Sequence, residues 1–391
     1  MARNQSLNMA KSENKIETDN PTSLSLLFTI KCNLNCAYCF INKDKGENLS
    51  LDLSTAKKSV DILFSYPGVR KTLYFSGGEP MLEFALLKKI HTYAKCEAKK
   101  KGILLDTVVV TNGTLLNREM IRFFFKEKIK VKISLDGGKI IHDKNRPFKN
   151  NPAGSSFEQV IKNISRIDLI KMRAAVTLVF TPKTMDHLLE NIKFLQTKNF
   201  FSIEFFPDIY APWKSSDLVK FRRIMKNFGG YYRSFFDQDY RVDVFRNSLL
   251  EMLVNNVSPM NKNACGKINV GTDGEIYVCD KVFSLPPNER EAYVIGNAQT
   301  GLQNELRKEK INALRQDFYA ASGLPCLGCK YAKYCFCLIG HHLYFSHQKL
   351  GKNNKKLIEP FCSFSKAYLD EFSDIAKKMR KNSIFSRLYK N

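Results

Sequence analysis

Short runs of apolar and β-branched residues alternate, over most of the chain, with longer stretches whose apolar positions recur at helical spacing. That alternation is the pattern of repeated strand-helix units. Six strands are read, at Leu24 to Ile30, Thr72 to Ser76, Thr107 to Thr111, Val131 to Leu135, Ala174 to Thr181 and Ser202 to Phe206. Helices are predicted between them at Ser54 to Tyr66, Leu82 to Lys101, Asn117 to Lys128, Ser156 to Ile170 and Met185 to Lys198, with a sixth near Ser215 to Phe236. Ser54, Asn117 and Ser156 are the expected N-caps. From about Met260 the rhythm changes to cysteines, glycines and short strands. In INVGTDGEIYVCD the Asp273-Gly274 pair between two alternating runs predicts a β-hairpin, and a second, smaller domain is expected to begin there. From Lys377 onward, six basic residues and no acidic one in fifteen positions read as a solvated helix or tail.

With 391 residues the chain has room for about two to three domains and a large core. Hydrophobic residues at 44% and charged residues at 26% are ordinary for a globular protein. No stretch approaches the roughly eighteen uncharged apolar residues of a membrane span. The polar start, MARNQSLNMAKSENKIETDNPTS, has no apolar core of a signal peptide, so a cytoplasmic location is expected. Eleven cysteines in a reducing compartment are then expected to be metal ligands, cluster ligands or catalytic thiols rather than disulfides. A net charge of +24 is enough to attract phosphate, an anionic lipid surface or an acidic polypeptide, and does not choose among them.

The chemistry is concentrated in two cysteine groups. Cys32, Cys36 and Cys39 lie in KCNLNCAYCF, three thiolates within eight residues directly after the first strand. Three soft ligands on one tight loop suit an iron-sulfur cubane in which the fourth iron has no protein ligand and stays open to a small molecule. The alternative is a structural zinc knuckle, although zinc motifs come as paired CxxC units with four protein ligands. Further motifs end the next three strands: FSGGEP (Phe75 to Pro80), VTNG (Val110 to Gly113) and SLDG (Ser134 to Gly137). In a parallel barrel the C-terminal strand edge is where active sites assemble, so the four segments are expected to share one mouth.

The CxxxCxxC spacing with Tyr38 before its last cysteine, together with these motifs, resembles the radical S-adenosylmethionine (SAM) superfamily. The resemblance runs roughly from Leu24 to Cys362. It implies an α/β fold: a partial (β/α)6 TIM-like barrel followed by a small cysteine-rich domain with a β-hairpin. The expected division is a polar tail over 1–21, the core barrel over 22–236, a helical linker over 237–260, an auxiliary-cluster domain over 261–370 and a basic helix or tail over 371–391. A 4Fe-4S cluster on Cys32, Cys36 and Cys39 and bound SAM are implied. Gly77 and Gly78 would let the backbone approach the ligand, and Glu79 would accept from its ammonium. Ser134 and Asp136, at period two, would both face the mouth, with Ser134 the expected ligand contact. Arg146 would bind the SAM carboxylate, and Asn112 would offer polar contacts nearby.

In the last third, GxxxxC ending at Cys279 and CLGCKYAKYC resemble the SPASM domain, an extension of peptide and protein maturases carrying one or two auxiliary 4Fe-4S clusters. By that resemblance Cys326, Cys329, Cys335 and Cys362 hold one cluster. Cys265, Cys279 and Cys337 hold the other. The family's CxxxC is Cys335-Phe336-Cys337 here, and no eighth cysteine lies just upstream of Cys265. A zinc ribbon is the alternative for Cys326 to Cys337. Asp280 matches the aspartate that acts as a base in anaerobic sulfatase-maturating enzymes, and is otherwise read as a backbone cap. Cys96, His341 and His342 are read as structural or surface residues.

The implied activity is that of a radical SAM/SPASM maturase that cleaves SAM to methionine and a 5'-deoxyadenosyl radical, then oxidises or cross-links a side chain of a precursor peptide or protein. A reduced flavodoxin or ferredoxin-type donor would supply the electron. The alternatives are a sulfatase maturase forming formylglycine and, from another substrate class, an RNA-modifying enzyme. The latter is suggested by +24 and by basic segments such as KCEAKKK and KNNKK, without any RNA-binding module, so no nucleic-acid partner is expected. An electron carrier is the non-enzymatic reading, against which GGEP and Arg146 stand. The basic surface is expected to steer an acidic leader segment.

Overall fold

The computed structural model describes residues 20–41, 50–169, 171–208, 211–237, 246–255, 266–322, 329–331, 334 and 355–389. Among them, β1 (Ser23–Thr29), β2 (Arg70–Gly77), β3 (Leu104–Thr111), β4 (Lys130–Ser134), β5 (Ala175–Phe180) and β6 (Ser202–Pro207) pair in sequence order, every pair parallel. The helices α1 (Leu53–Ser65), α2 (Phe84–Lys100), α3 (Arg118–Lys126), α4 (Lys139–Asn145), α5 (Ser156–Ile164) and α6 (Leu188–Gln196) fall between them, and α7 (Ser215–Asp237) follows β6. Six successive parallel strands with helical crossovers make the repeated βα units that the alternating pattern predicts and the partial α/β barrel that the resemblance implies.

Element ends moved by a few residues, for local reasons. Asp52, not Ser54, caps α1, its carboxylate accepting from Thr55 N–H at 2.9 Å. Ser155, not Ser156, caps α5, while Asn117 caps α3 as expected. Helix α5 stops at Ile164, short of the predicted Ile170. The chain there turns back, with the Asp168 carboxylate accepting from Lys171 N–H and Arg173 in the left-handed region at φ 50°.

Four more strands extend the same sheet on the other side of β1: β7 (Lys267–Val270), β8 (Glu275–Tyr277), β9 (Val294–Asn297) and β10 (Gly301–Leu302). Strands β7 and β8 are the hairpin predicted at Asp273-Gly274, with Gly274 at φ +84°. Its first strand pairs parallel with β1, Ser23 opposite Lys267. The hairpin therefore sits directly beside the strand that leads into the first cysteine loop.

After α8 (Ser248–Val254), α9 (Pro287–Arg290) and α10 (Asn304–Ser322), helix α11 (Lys355–Lys378) packs on α7. Tyr368 and Phe372 stack edge-on and tilted against Phe205 and Phe228, with centroids 5.3–5.5 Å apart. The basic C-terminal stretch corrects the expectation of a solvated tail. Its α12 (Ser383–Tyr389) buries Phe385 and Tyr389, which stand four residues apart on one helix face. The Tyr389 hydroxyl meets Tyr232 at 2.6 Å and accepts from Asn247 N–H at 3.0 Å. Counting charges along the stretch hid these two anchors.

Candidate functional site

A cavity of about 600 Å³ opens inside the curved sheet, within the range of small-molecule sites. Cys32, Cys36, Cys39, Gly77, Gly78, Asn112, Ser134 and Arg146 all line it, and so do Cys279 and Asp280, some 240 positions further along the chain. The first group stands at the C-terminal ends of β1 to β4. The second follows the hairpin, against Lys267, whose register partner Ser23 begins β1. The cavity thus runs from the C-terminal edge down the inner face of the sheet.

The Gly77-Gly78 pair, besides lining the cavity, packs against the chain that leads into the cysteine loop. A Cβ on Gly78 would lie 2.1 Å from the Lys31 carbonyl oxygen, and one on Gly77 2.4 Å from that of Thr29. Gly78 N–H donates to Thr29 at 2.6 Å and Glu79 N–H to Lys31 at 2.8 Å. The close approach is to the backbone leading into Cys32, so these amides seat the cysteine loop. Glu79 likewise turns away from the mouth. Its fully buried carboxylate accepts from Thr111 Oγ1 (2.7 Å), Asn112 N–H (2.7 Å) and Met81 N–H (3.0 Å), and it does not line the cavity. Burial pushes this carboxyl up to about 7 despite the three donors. The expected contact with a ligand ammonium is thereby corrected: the group is spent on ordering the loop after β3.

That loop presents Asn112, whose Oδ1 accepts from Thr114 while Nδ2 donates to Asn33 at 2.9 Å and approaches Cys32 Sγ at 3.9 Å. A donor aimed at a ligating sulfur is one of the levers on a cluster's potential. Ser134 faces the cavity. Asp136, expected to share that direction, does not: it is fully buried and takes Arg146 Nη2 (3.1 Å), Asn145 Nδ2 (3.2 Å), Val179 N–H (3.0 Å) and the Tyr38 hydroxyl. Burial alone would raise its pKa, but the Arg146 guanidinium holds Asp136 below the usual carboxylate range. Arg146 also lies over the Tyr38 ring at 5.1 Å. The pair therefore fixes the cysteine loop, and Arg146 reaches the cavity with its Nε lacking a partner among the described residues. Burial pulls the neighbouring His142 down to about 4, leaving it a neutral acceptor for Asp136 N–H.

Burial also pushes the Cys36 thiol up to about 11, so a bound metal, rather than the protein's own field, would make it a thiolate. Among the described residues no three Cys, His, Asp or Glu side chains converge closely enough for a single ion. A cubane spreads three thiolates over three irons and needs no such point. Three cysteines on one cavity wall, an open volume beside them and a guanidinium with an unmade hydrogen bond fit a cluster with SAM against it.

On the second wall, Asp280 lies 3.4 Å from Lys281 Nζ and 4.0 Å from Lys267 Nζ, with Cys279 Sγ 3.7 Å from its carboxylate. Burial, then the Asp280 charge, push Cys279 well above the ordinary thiol range. Cys329 and Cys362 are half-buried. Cys265, Cys326, Cys335, Cys337, His341 and His342 lie outside the described residues, and Cys96 is an exposed thiol on α2. Sequence reasoning missed Lys132, Lys267 and Lys281, which also line the cavity. Lys132 had a signal: it alternates with Ser134 along one strand and so shares its inward face.

The family model of the radical SAM superfamily matches residues 26–195. An uncharacterised protein of Methanocaldococcus jannaschii is 32% identical over 219 residues, covering 54% of this chain and 73% of the relative. The cysteine-type anaerobic sulfatase-maturating enzyme of Clostridium novyi is 26% identical over 388 residues, 91% of this chain and 98% of that enzyme. The solved structure of native anSMEcpe with bound AdoMet and the Cp18Cys peptide superposes with a TM-score of 0.68 at 21% identity, over 91% of this chain and 99% of that one. No helix among the described residues is long and apolar enough to cross a membrane.

Proposed function

Because the chain belongs to the radical SAM superfamily, we propose that it is a maturase that oxidises or cross-links a side chain of a peptide or protein. When bound, the cluster and SAM supply reductive cleavage of the sulfonium to methionine and a 5'-deoxyadenosyl radical. The observation that carries the reading is the single cavity walled by the Cys32/Cys36/Cys39 loop at one end and by Cys279 and Asp280 at the other. An enzyme that only cleaved SAM would have no use for the second wall.

Each residue then has a task. Gly77, Gly78, Glu79 and Asn112 hold the cysteine loop in register, and Ser134 and Arg146 stand where SAM's polar groups would lie. Phe364 and Tyr368 of α11 wall the side of the cavity and exclude water from the reacting carbon. Cys265, Cys279 and Cys337, and separately Cys326, Cys329, Cys335 and Cys362, would hold auxiliary 4Fe-4S clusters able to take up the electron left after hydrogen abstraction. Reduced flavodoxin or ferredoxin would deliver the first electron.

A second reading, formylglycine formation in a sulfatase, is favoured by Asp280. Lys281 and Lys267 stand 3.4 and 4.0 Å from that carboxylate, which would accept the proton released when a Cys or Ser side chain is oxidised. The end-to-end similarity to the Clostridium novyi enzyme agrees. The test is anaerobic reconstitution followed by SAM, with 5'-deoxyadenosine as readout and the Cys32→Ala, Cys36→Ala, Cys39→Ala triple variant as control. Deoxyadenosine from the variant, or none from the intact protein, overturns the reading. A sulfatase peptide with Cys or Ser at the modified position separates the two: aldehyde formation that Asp280→Asn abolishes supports the sulfatase maturase, and no aldehyde from either peptide excludes it.

A further inference from the structure

Four cations face the cavity among the described residues, and their counter-charges are unequal. Arg146 is paired with Asp136, while Lys267 and Lys281 share Asp280 and rest on the rings of Tyr74 and Phe40. Lys132, at the middle of β4, has no ion pair and no side-chain hydrogen bond among the described residues. The buried carboxylate whose charge acts on it, Glu204 of β6, already accepts from the Ser202 hydroxyl and from the Ser248 N–H and hydroxyl at 2.8–2.9 Å. Burial, together with Lys267 and Lys281, pulls the Lys132 ammonium below the usual lysine range, with only the Glu204 charge opposing. A half-buried cation on a cavity wall is left to be met by whatever occupies the cavity.

Two other residues of the cavity wall each hold a buried polar atom without a partner among the described residues: Thr177 Oγ1 of β5 and Asn269 Oδ1 of β7. Thr177 is the register neighbour of Ser134. Lys132 lies two residues deeper than Ser134 on the same face, about 6.6 Å further from the C-terminal edge. The three unmade bonds describe a ligand. Lys132 and Thr177 ask for an acceptor, and the half-buried cation asks for it to be anionic. Asn269 Oδ1 asks for a donor, since its Nδ2 is directed to the Lys267 and Tyr277 carbonyls. Phosphate offers no donor. An amino-acid residue with a carboxylate beside a peptide N–H offers both.

We propose that Lys132, with Thr177 and Asn269, forms a subsite for a carboxylate-bearing residue of the peptide substrate, one strand layer below the SAM position. This rests on the peptide-maturase reading above and adds the chemistry of what is recognised. The carboxylate comes either from an Asp or Glu side chain or from the substrate's C-terminus. Held there, it sets which neighbouring carbon stands beneath Ser134, within reach of the cavity's upper end. Lys132 is in this sense a positioning residue.

The test is retention of peptides by the reconstituted, SAM-loaded protein. N-acetylated pools of short peptides are offered at equal concentration, filtered with the protein and quantified by mass spectrometry. One arm carries Asp or Glu with an amidated C-terminus, one Asn or Gln with an amidated C-terminus, and one neutral side chains with a free C-terminal carboxylate. The expected result is about 10- to 100-fold enrichment of a carboxylate-bearing arm over the amide arm, the range of one charge-assisted hydrogen bond. Whichever arm is enriched names the source. Lys132→Met abolishes the enrichment, Lys132→Arg keeps it, and Lys132→Glu turns it toward Lys- or Arg-bearing pools; iron content shows that each variant has folded. Equal retention of acidic and amide pools, or a preference unchanged in Lys132→Met, overturns the subsite and leaves the peptide reading standing. Retention of no peptide, while SAM is still cleaved, overturns both.

Discussion

Glu79 offers a direct measure of what the GGEP segment does. Its carboxyl is fully buried, accepts three hydrogen bonds, and is still raised from 4.5 to about 7 because desolvation outweighs the donors. Between those two pH values the folded protein holds a proton that the unfolded chain has released. Stability is therefore greatest below the unfolded value of 4.5 and falls as pH rises to about 7, beyond which the contribution is constant. Each tenfold in proton affinity is worth about 1.4 kcal/mol, so the loss across this window comes to roughly 3 kcal/mol. Glu79→Gln removes the titration. It also sets an amide N–H against one of the donors, Asn112 N–H or the pair from Met81 and Thr111, at a cost of about 1–3 kcal/mol for the unmade bond. Thermal or urea unfolding of both proteins at intervals from pH 4.5 to 8 is the assay. The quantity to plot is the wild-type minus variant difference, which cancels every other titrating group. We expect that difference to decline across the window, with the variant less stable at its low-pH end. Parallel curves would refute the reasoning, because they would mean that Glu79 is ionised throughout and is not desolvated as its surroundings imply.

The remaining predictions concern the cysteine loop and its supports. Gly78→Ala places a Cβ against the Lys31 carbonyl, backbone against backbone, so the loop must move; iron bound after reconstitution should fall well below the wild-type level, and full occupancy would show that the approach is dispensable. Tyr38→Phe removes one of four donors to buried Asp136 and should cost about 1–3 kcal/mol in unfolding free energy, whereas an unchanged melting curve would mean that the hydroxyl contributes nothing. Gly137 sits at φ +104°, and a Cβ added there would lie 2.2 Å from the Asn191 side chain, so Gly137→Ala should lower the melting temperature, and a neutral result would contradict the packing. Asp280→Asn should leave deoxyadenosine formation in place while slowing release of oxidised product, and equal loss of both would make Asp280 a structural residue.

The order of strands and helices, the hairpin at Asp273-Gly274 and the assembly of four motifs at one strand edge were legible in the chain, because each follows from local periodicity, turn chemistry and parallel topology. The Cys32, Cys36 and Cys39 loop was legible for the same reason: its ligands are close in sequence. What the GGEP segment touches was not legible. Gly78 and Glu79 look like ligand-binding residues in any linear reading, and only the packing of β2 beside β1 turns their amides to Thr29 and Lys31 and the carboxylate to Asn112. The C-terminal helix was misjudged because charge density is additive along a sequence, while docking depends on two apolar residues meeting Tyr232 and Phe236.

The sequence by itself determined the chemistry on offer: three thiolates on one loop, a second cysteine group and the βα scaffold to carry them. Tertiary structure alone decided which groups face each other across the cavity. Pairing of β7 with β1 brings Lys267, Asp280 and Lys281 to face a cysteine loop more than 200 residues away. Whether a buried charge is paired or left open depends on neighbours contributed by distant strands, and no local pattern records that.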